Sequence, residues 1–474
     1  GVPAAHSIHL DSAQLREPEH KQSGGTVPLR RTAMRAAAFA TAIATTVAGG
    51  ALVAPAAGAQ GSSNDPAPAF YQPPADLPET SGELIKTEPF PLAGAIPPIP
   101  GAEPISDGAG PLSTDAQRIM YTSVGSRGQA IAVTGAYLQP RAPWTGPGSR
   151  PLAVVAPGTQ GQADHCAPSK TFQNLATVRT DPPGVGFGYE LIQAYALLAR
   201  GYAVAMTDYE GLGTPGLHSY INRASQARAV LDLARVAASV PGADIAPDAR
   251  TVFTGYSQGG GAVAAAAELH PQYAPEVNLV GTAAGSPPAD LLATLEQVDG
   301  TAIAGVIGYS LNSLLDAYPD MGPLIDPYFN DRGRAMLATT ADQCIGETAV
   351  QFFQQRTTAY TVSGRSAGDI VRSEPVLTGF LERQRIGRLA PTTPVRVLSP
   401  VNDDVVPGHQ SQQLGRDWCA QGVTVEMVID PMPPVAPGLV IGHAAPMLTG
   451  LEGTLRYLDD RVGGVPAPSN CGTY

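Results

Sequence analysis

No stretch of this chain leaves less conformational choice than residues 251–267, TVFTGYSQGGGAVAAAA. Thr251-Val252-Phe253-Thr254 is a β-branched and aromatic run with the pattern of a buried strand. Residues 262–269 are Ala-rich and free of glycine, with high helix propensity up to Pro271. Between the two lies Gly255-Tyr256-Ser257-Gln258-Gly259, a G-x-S-x-G pentapeptide. A chain that passes from strand to helix so abruptly brings the positions two before and two after the serine into collision, and glycine relieves it. The serine hydroxyl is left free on a strained turn, and the N–H groups of the following helix face any negative charge that develops there. G-x-S-x-G alone is a common string. The strand before it and the helix after it make Ser257 the candidate nucleophile.

The rest of the chain alternates in the same way. Residues 118–124 and 130–138 read as two strands joined by a tight turn at Gly125-Ser126-Arg127-Gly128. Residues 152–156 (LAVVA) form a short continuous apolar run, as expected of a strand covered on both faces, and run into Pro157-Gly158-Thr159-Gln160-Gly161. Residues 189–200 and 223–240 carry helical apolar stripes, with a strand at 202–207 between them and another at 277–283 after the serine. This alternation predicts an α/β fold with a doubly wound, mostly parallel sheet. It stops at Gly285-Ser286-Pro287-Pro288 and resumes with strands at 394–399 and 423–429 and a helix at 445–459. The expected core is therefore residues 116–286 and 390–474, with residues 287–389 an inserted helical cap.

With 474 residues, 43% of them hydrophobic and 15% charged, the chain can bury a large core. A net charge of −12 argues against nucleic acid or an anionic membrane surface as an electrostatic partner. Arg30, Arg31 and Arg35 precede an uncharged Ala-rich stretch ending in Ala57-Gly58-Ala59, the layout of a signal peptide. Residues 1–59 are accordingly read as an extension with a signal peptide, residues 60–115 as a Pro/Ala-rich tether and extended segment, and the mature chain as secreted. No other apolar stretch approaches 18 residues without interruption, so no membrane span is expected. Cys166, Cys344, Cys419 and Cys471 lack the C-x-x-C spacing of a zinc site. In an exported chain four cysteines imply two disulfides, with three possible pairings. We expect Cys166–Cys344, tying the loop near Gly161 to the cap, and Cys419–Cys471, pinning the tail.

A serine that transfers acyl groups needs a base, a carboxylate to orient it, and donors for the oxyanion. In this architecture the carboxylate follows the serine and the histidine comes last. The acidic loop Asn402-Asp403-Asp404-Val405-Val406-Pro407 ends one late strand, and the loop after the next ends in Ile441-Gly442-His443. His443 is the expected base. His6, His9, His20, His165, His218, His270 and His409 lie at the wrong points of the chain order and are read as solvent-facing or structural. Asp430, which also ends a strand, is the reserve carboxylate.

GTQGQADHCAPS at 158–169, Asp208-Tyr209-Glu210-Gly211-Leu212-Gly213, Gly255-Tyr256-Ser257-Gln258-Gly259-Gly260 and the Asp-x-x-Val-Pro block at 403–407 together resemble the secretory lipase family of α/β-hydrolases. The resemblance spans residues 116–458. It implies Asp403 rather than Asp404 as the acid, a triacylglycerol or other hydrophobic ester as substrate, a helical lid, and no cofactor or metal. Many relatives carry His before the Gly-Thr where this chain has Pro157. The expected oxyanion donors are the Gln258 N–H and one N–H from residues 159–161, with Gln160 the choice. Acyl transfer to an alcohol, peptide hydrolysis on the same fold, and a catalytically silent envelope protein are the competing functions. The apolar surplus of the cap, at 303–318 and at Val350-Gln351-Phe352-Phe353, predicts a lid that closes over Ser257 in water and opens at a lipid surface, with a static cap over a fixed tunnel as the alternative.

Overall fold

Six parallel strands form the spine of the molecule, which a computed structural model describes over residues 69–92, 113–172, 176–180 and 183–474. The expected signal peptide lies outside the described residues. β4 (Leu152–Ala156), β7 (Ala203–Thr207) and β8 (Thr251–Tyr256) are buried along their whole lengths, as continuous apolar strands must be when helices cover both faces. With β9 (Leu279–Gly285), β10 (Val395–Pro400) and β11 (Val425–Asp430) they run parallel in the order β7-β4-β8-β9-β10-β11. Beyond β7 the sheet continues antiparallel through β3 (Ala130–Pro140), β2 (Thr114–Val124) and β1 (Leu84–Phe90). A separate hairpin pairs β5 (Ala176–Thr180) with β6 (Pro183–Phe187).

Helices close both faces. α1 (Leu191–Ala199) covers one face together with a late helix at Leu451–Val462, through Leu197, Leu198, Leu455 and Leu458 against Val155 and Val204. α2 (Arg223–Val236), α3 (Gln258–Tyr273) and a helix at Gly408–Ala420 cover the other, where Val230, Val263 and Trp418 pack with Phe253. After β4 the chain goes to β7 on one side, then crosses back to β8 on the other. The crevice at the carboxyl ends of β4 and β8 is thus the switch point at which open α/β sheets bind ligands, and Ser257 stands at the end of β8.

Between β9 and β10 the chain leaves the sheet for a set of helices, beginning with α4 (Leu291–Val298), α5 (Val306–Ala317), α6 (Asp331–Ala341) and α7 (Ile345–Gln351) and ending with α8 (Ala367–Ser373) and α9 (Pro375–Arg383). Its two ends meet: the Ile386 N–H donates to the Ala289 carbonyl at 3.2 Å, and Arg385 pairs with Asp290 at 3.0 Å. Elsewhere the Ala302 N–H donates to the Gly438 carbonyl at 2.7 Å. A third attachment joins residues 343–345 to the loop after β4. There the Gln162 N–H donates to the Gln343 carbonyl and the Ile345 N–H to the Gln160 carbonyl, each at 2.9 Å, beside the Cys166–Cys344 disulfide. The second disulfide joins Cys419 to Cys471.

Three elements differ from expectation. β1 lies in the stretch read as a tether and extended segment, where no strand is expected: Leu84–Phe90 shows no clean alternation and contains Pro89, which an edge strand tolerates. Phe90 is nonetheless buried, with the Arg118 guanidinium 4.6 Å from its ring centre. The final helix is two, α11 (Ile441–Thr449) and α12 (Leu451–Val462), with α10 the helix at Gly408–Ala420. They part at Gly450, where a Cβ would lie 2.8 Å from the Leu398 side chain. Phe352, expected on the lid surface, is buried against Met336 and Tyr360 and belongs to the core of the insertion.

Candidate active site

The pentapeptide makes the turn its glycines predict. Ser257 has φ +58° and ψ −121°, between the last residue of β8 and the first of α3. A Cβ on Gly255 would come within 2.4 Å of the Gly259 carbonyl oxygen, and one on Gly259 within 2.0 Å of that of Ala156. The Ser257 N–H is taken by the Gly285 carbonyl at 2.9 Å, so the strained backbone is held from the neighbouring strand.

His443 lies in the first turn of α11 rather than in a loop. Its Nε2 is 2.8 Å from Ser257 Oγ, and its Nδ1 is 2.9 and 2.8 Å from the two Asp403 carboxylate oxygens. Asp403 is buried and saturated with donors. Oδ1 accepts the N–H groups of Val405 and Val406 at 2.9 and 2.8 Å, and Oδ2 accepts the Ser286 hydroxyl. Burial alone would lower the His443 pKa; the charge of Asp403, the hydrogen bond to it and the charge of Asp404 outweigh burial and raise it. The imidazole is therefore a base whose protonated form is stabilised in place.

Asp404 does separate work. Its Oδ2 accepts from Gly438 and Val440 at 2.9 and 2.8 Å, and its Oδ1 from the His443 N–H at 3.1 Å. Val440 has φ +70°, unfavourable for a β-branched residue. The carboxylate thus holds a strained turn and caps α11 at once. A Cβ on Gly442 would lie 2.2 Å from the Asn402 carbonyl oxygen, which lets this helix approach the acid loop. From the elbow, the Tyr256 hydroxyl donates to the His443 carbonyl at 2.7 Å. Asp430 ends β11 and its carboxylate accepts from the Met432 N–H at 2.8 Å, away from the imidazole partners.

On the other side of the serine, Pro157–Gly161 is oriented peptide by peptide. The Tyr209 hydroxyl donates to the Pro157 carbonyl at 2.7 Å, and the Gly158 N–H donates to Glu190 Oε1. The Tyr189 hydroxyl donates to the Thr159 carbonyl at 3.0 Å, which turns the trans-related Gln160 N–H the opposite way. Among the described residues no acceptor lies against the N–H groups of Thr159, Gln160 or Gly161. Burial pushes the Glu190 carboxyl up to about 8, so near neutral pH it is chiefly the uncharged acid.

Ser257, Gln258 and Thr159 open into a cavity of about 160 Å³. Val405 and Val406 line its near end, and Ile325, Phe329, Leu377 and Phe380 of the insertion its far end. α5 runs along one wall from Val306 to Leu314, a rise of roughly 12 Å. The walls are almost entirely apolar.

Sequence reasoning placed Ser257, Asp403 and His443, and the structure brings the three within hydrogen-bond reach. It did not single out Ser286, Glu190 or the part played by Asp404. Their contacts span 32 to 117 residues of chain, and only the Asp403-Asp404 doublet left a local sign. The four cysteines pair as expected, with Cα separations of 5.5 and 5.6 Å. His165, Cys166 and Cys344 are the one potential metal-ligand cluster among the described residues, but both thiols are consumed by the disulfide. No helix among those residues is long and apolar enough to cross a membrane.

Known proteins resemble this chain in sequence and in fold. A profile described as secretory lipase matches residues 177–470. Lipase A of Arthroderma benhamiae is 28% identical over 419 residues, covering 87% of this chain and 82% of that one. A secreted triacylglycerol lipase of Malassezia globosa is 27% identical over 323 residues, 68% of this chain and 67% of its own. A Mycobacterium tuberculosis chain named "Probable inactive lipase" is 26% identical, covering 85% and 83%. Candida antarctica lipase A in its closed state superposes with a TM-score of 0.69 at 19% identity, over 86% of this chain and 88% of that one.

Proposed function

This chain belongs to the secretory lipase family, and from that membership together with the Ser257–His443–Asp403 geometry we propose an exported triacylglycerol lipase that works through an acyl-enzyme on Ser257. Ser257 Oγ attacks the ester carbonyl while His443 Nε2 takes its proton, and Asp403 holds the imidazole and stabilises its charge. The tetrahedral oxyanion is received by the Gln258 N–H at the start of α3 and by the Gln160 N–H. His443 then returns the proton to the departing alcohol. Water, activated by the same imidazole, releases the fatty acid, which occupied the apolar cavity. The apolar lining of that cavity suits the hydrocarbon chain of the acyl group. No metal or cofactor enters these steps.

The observation that carries the reading is the 2.8 Å contact between Ser257 Oγ and His443 Nε2 at the mouth of an apolar cavity. A silent homologue, as the name of the mycobacterial relative describes, is the alternative that calls for a direct test. A fluorophosphonate should label the wild type at Ser257 and leave Ser257→Ala unlabelled. p-Nitrophenyl esters should be hydrolysed with a rate that falls by at least about 10⁴-fold in that variant. Peptide amides should be left intact. Absence of labelling, or unchanged esterase turnover in Ser257→Ala, would sink the proposal.

A further inference from the structure

The Asp208-Tyr209-Glu210-Gly211-Leu212-Gly213 motif after β7 takes no part in the steps above, yet it shapes the ground beside them. Gly211 has φ +70°, and a Cβ there would lie 2.1 Å from the Leu217 carbonyl oxygen, so the loop folds back on itself. The fold-back places residues 218–220 between the two halves of the oxyanion site.

Each half is gripped by one side chain of this segment. His218 is buried, and its Nδ1 is 2.9 Å from the Glu210 carbonyl oxygen. A carbonyl only accepts, so Nδ1 carries the hydrogen and Nε2 presents a bare lone pair. That lone pair accepts from the Gln258 side-chain amide at 3.2 Å. The same amide donates its other hydrogen to Gln226 Oε1 at 2.8 Å, and that oxygen also accepts from the Ile221 N–H at 3.0 Å. The residue that follows the nucleophile is thus moored at its far end. Two residues on from His218, the Tyr220 hydroxyl is 2.7 Å from Thr159 Oγ1 in the opposite loop. The Gln162 side chain donates to the His218 carbonyl at 3.2 Å, which ties that loop to the same segment a second time.

We propose that residues 218–220 are a brace that sets the width of the oxyanion hole, with His218 and Tyr220 as positioning residues for its two halves. The inference rests on the reading of Ser257 as nucleophile and of Gln258 as oxyanion donor. Its physical basis is that the two donors come from separate elements, after β4 and after β8, and the ladder that joins β4 to β8 ends at Ala156 and Gly255, so the gap between the donors lies beyond the last paired residues. A direct link across three residues fixes it. Burial pushes the His218 imidazole down to about 4, which keeps Nε2 an acceptor throughout the working range of such an enzyme. Tyr209 stacks on the ring at 5.8 Å and holds its plane.

The test compares His218→Phe, His218→Gln and Tyr220→Phe, each normalised to folded sites by fluorophosphonate titration. Phenylalanine keeps the ring against Tyr209 and removes the acceptor; glutamine offers an amide oxygen near the Nε2 position. On a short-chain p-nitrophenyl ester, His218→Phe should lower kcat on the order of 10–10²-fold with little change in KM, as a displacement of about 1 Å does elsewhere. The Ki of an alkyl trifluoromethyl ketone, which forms a tetrahedral oxyanion on the serine, should rise by the same factor as kcat/KM falls. His218→Gln should recover most of both, and Tyr220→Phe should show a smaller loss of the same kind. Wild-type kcat and Ki in His218→Phe and Tyr220→Phe, or a loss confined to melting temperature, would overturn the brace. If His218→Phe does not fold, Tyr220→Phe decides. An active Ser257→Ala would instead show that the underlying reading has failed, whatever the brace variants do.

Discussion

The cavity has two walls of opposite construction. On the core wall, Asp403 alone accepts two backbone N–H groups, a hydroxyl and the imidazole, and Gly255 and Gly259 sit where a single added carbon would strike the backbone. On the wall formed by the insertion, the contacts with the cavity are chiefly apolar side chains, many of them from α4, α5, α8 and α9, and many ion pairs of the insertion, such as Arg334–Asp326 and Arg372–Glu296, are exposed and contribute little. Acyl transfer needs reacting groups held to a fraction of an ångström, which directed hydrogen bonds and backbone contacts supply. A flexible hydrocarbon chain asks only for volume and the absence of water, which loosely specified apolar side chains provide.

If that division holds, substitutions on the core wall cost turnover with every ester, and substitutions on the insertion wall change which ester is preferred. The largest effect should come from Asp403→Asn, which leaves the His443 tautomer unspecified and should lower kcat about 10³–10⁴-fold. Because the charge of Asp403 raises the His443 pKa against burial, and only the neutral imidazole can take the serine proton, the acid limb of residual kcat/KM should move to lower pH in this variant. Asp404→Asn, which leaves the imidazole partner in place, should lose far less, and its acid limb should move to lower pH by less than in Asp403→Asn, because the Asp404 charge is the smaller of the two that raise the His443 pKa. The reverse ranking would transfer the orienting role to Asp404.

An intermediate effect is expected from Leu314→Trp, which fills the cavity at the end of the α5 wall. Short esters should keep their kcat/KM, and long-chain esters should lose on the order of 10–10²-fold, the scale of a few methylene contacts. A uniform loss across chain lengths would mean that the insertion wall also positions the reacting groups.

The smallest effect on rate belongs to Glu190→Gln, a substitution at the back of the core wall. The carboxyl is held near 8 by burial, so the amide imitates the form present at neutral pH and turnover there should change by no more than about threefold. Stability gives the sharper readout. Between the unfolded carboxyl value of about 4.3 and the folded value, the native state retains a proton that the unfolded chain has lost, so stability falls as pH rises across that window. In Glu190→Gln this component should vanish, and the melting temperature should decline less steeply from pH 5 to 8. An unaltered slope would show that Glu190 ionises without cost.

The legibility of the two walls in the sequence follows the same division. The elbow could be read from five residues because its geometry is local: strand, glycine, serine, glycine, helix. The order serine, acid, histidine could be read because the topology of the sheet imposes it. The choice of Asp403 over its neighbour came from resemblance, since two adjacent aspartates look alike until their partners are known. His218 reads as solvent-facing or structural from its place in the chain order, and no local pattern shows its contacts to Glu210 and Gln258, which lie 8 and 40 residues away. In the insertion, the helices were legible from apolar spacing, but the faces of those helices were not. Phe352 and Phe353 are sequence neighbours, and one is buried at 6% exposure while the other stands at 37%.

The attachments of the insertion have a kinematic consequence. A flap hinged where its two ends meet, near Ala289 and Ile386, would swing as one body. This one is also pinned at Ala302 to Gly438, and at residues 343–345 to the loop after β4 by two backbone bonds and a covalent crosslink. A plate fastened at three separate points has no axis left about which to turn. If the cavity opens, the deformation has to fall within the plate, in the outer helices that carry none of these fastenings, from Gly322–Ile325 to α6 and in α8 and α9. The loop bearing the proposed Gln160 donor is bolted to the fixed part, so a deformation of the outer helices would leave it registered with Ser257.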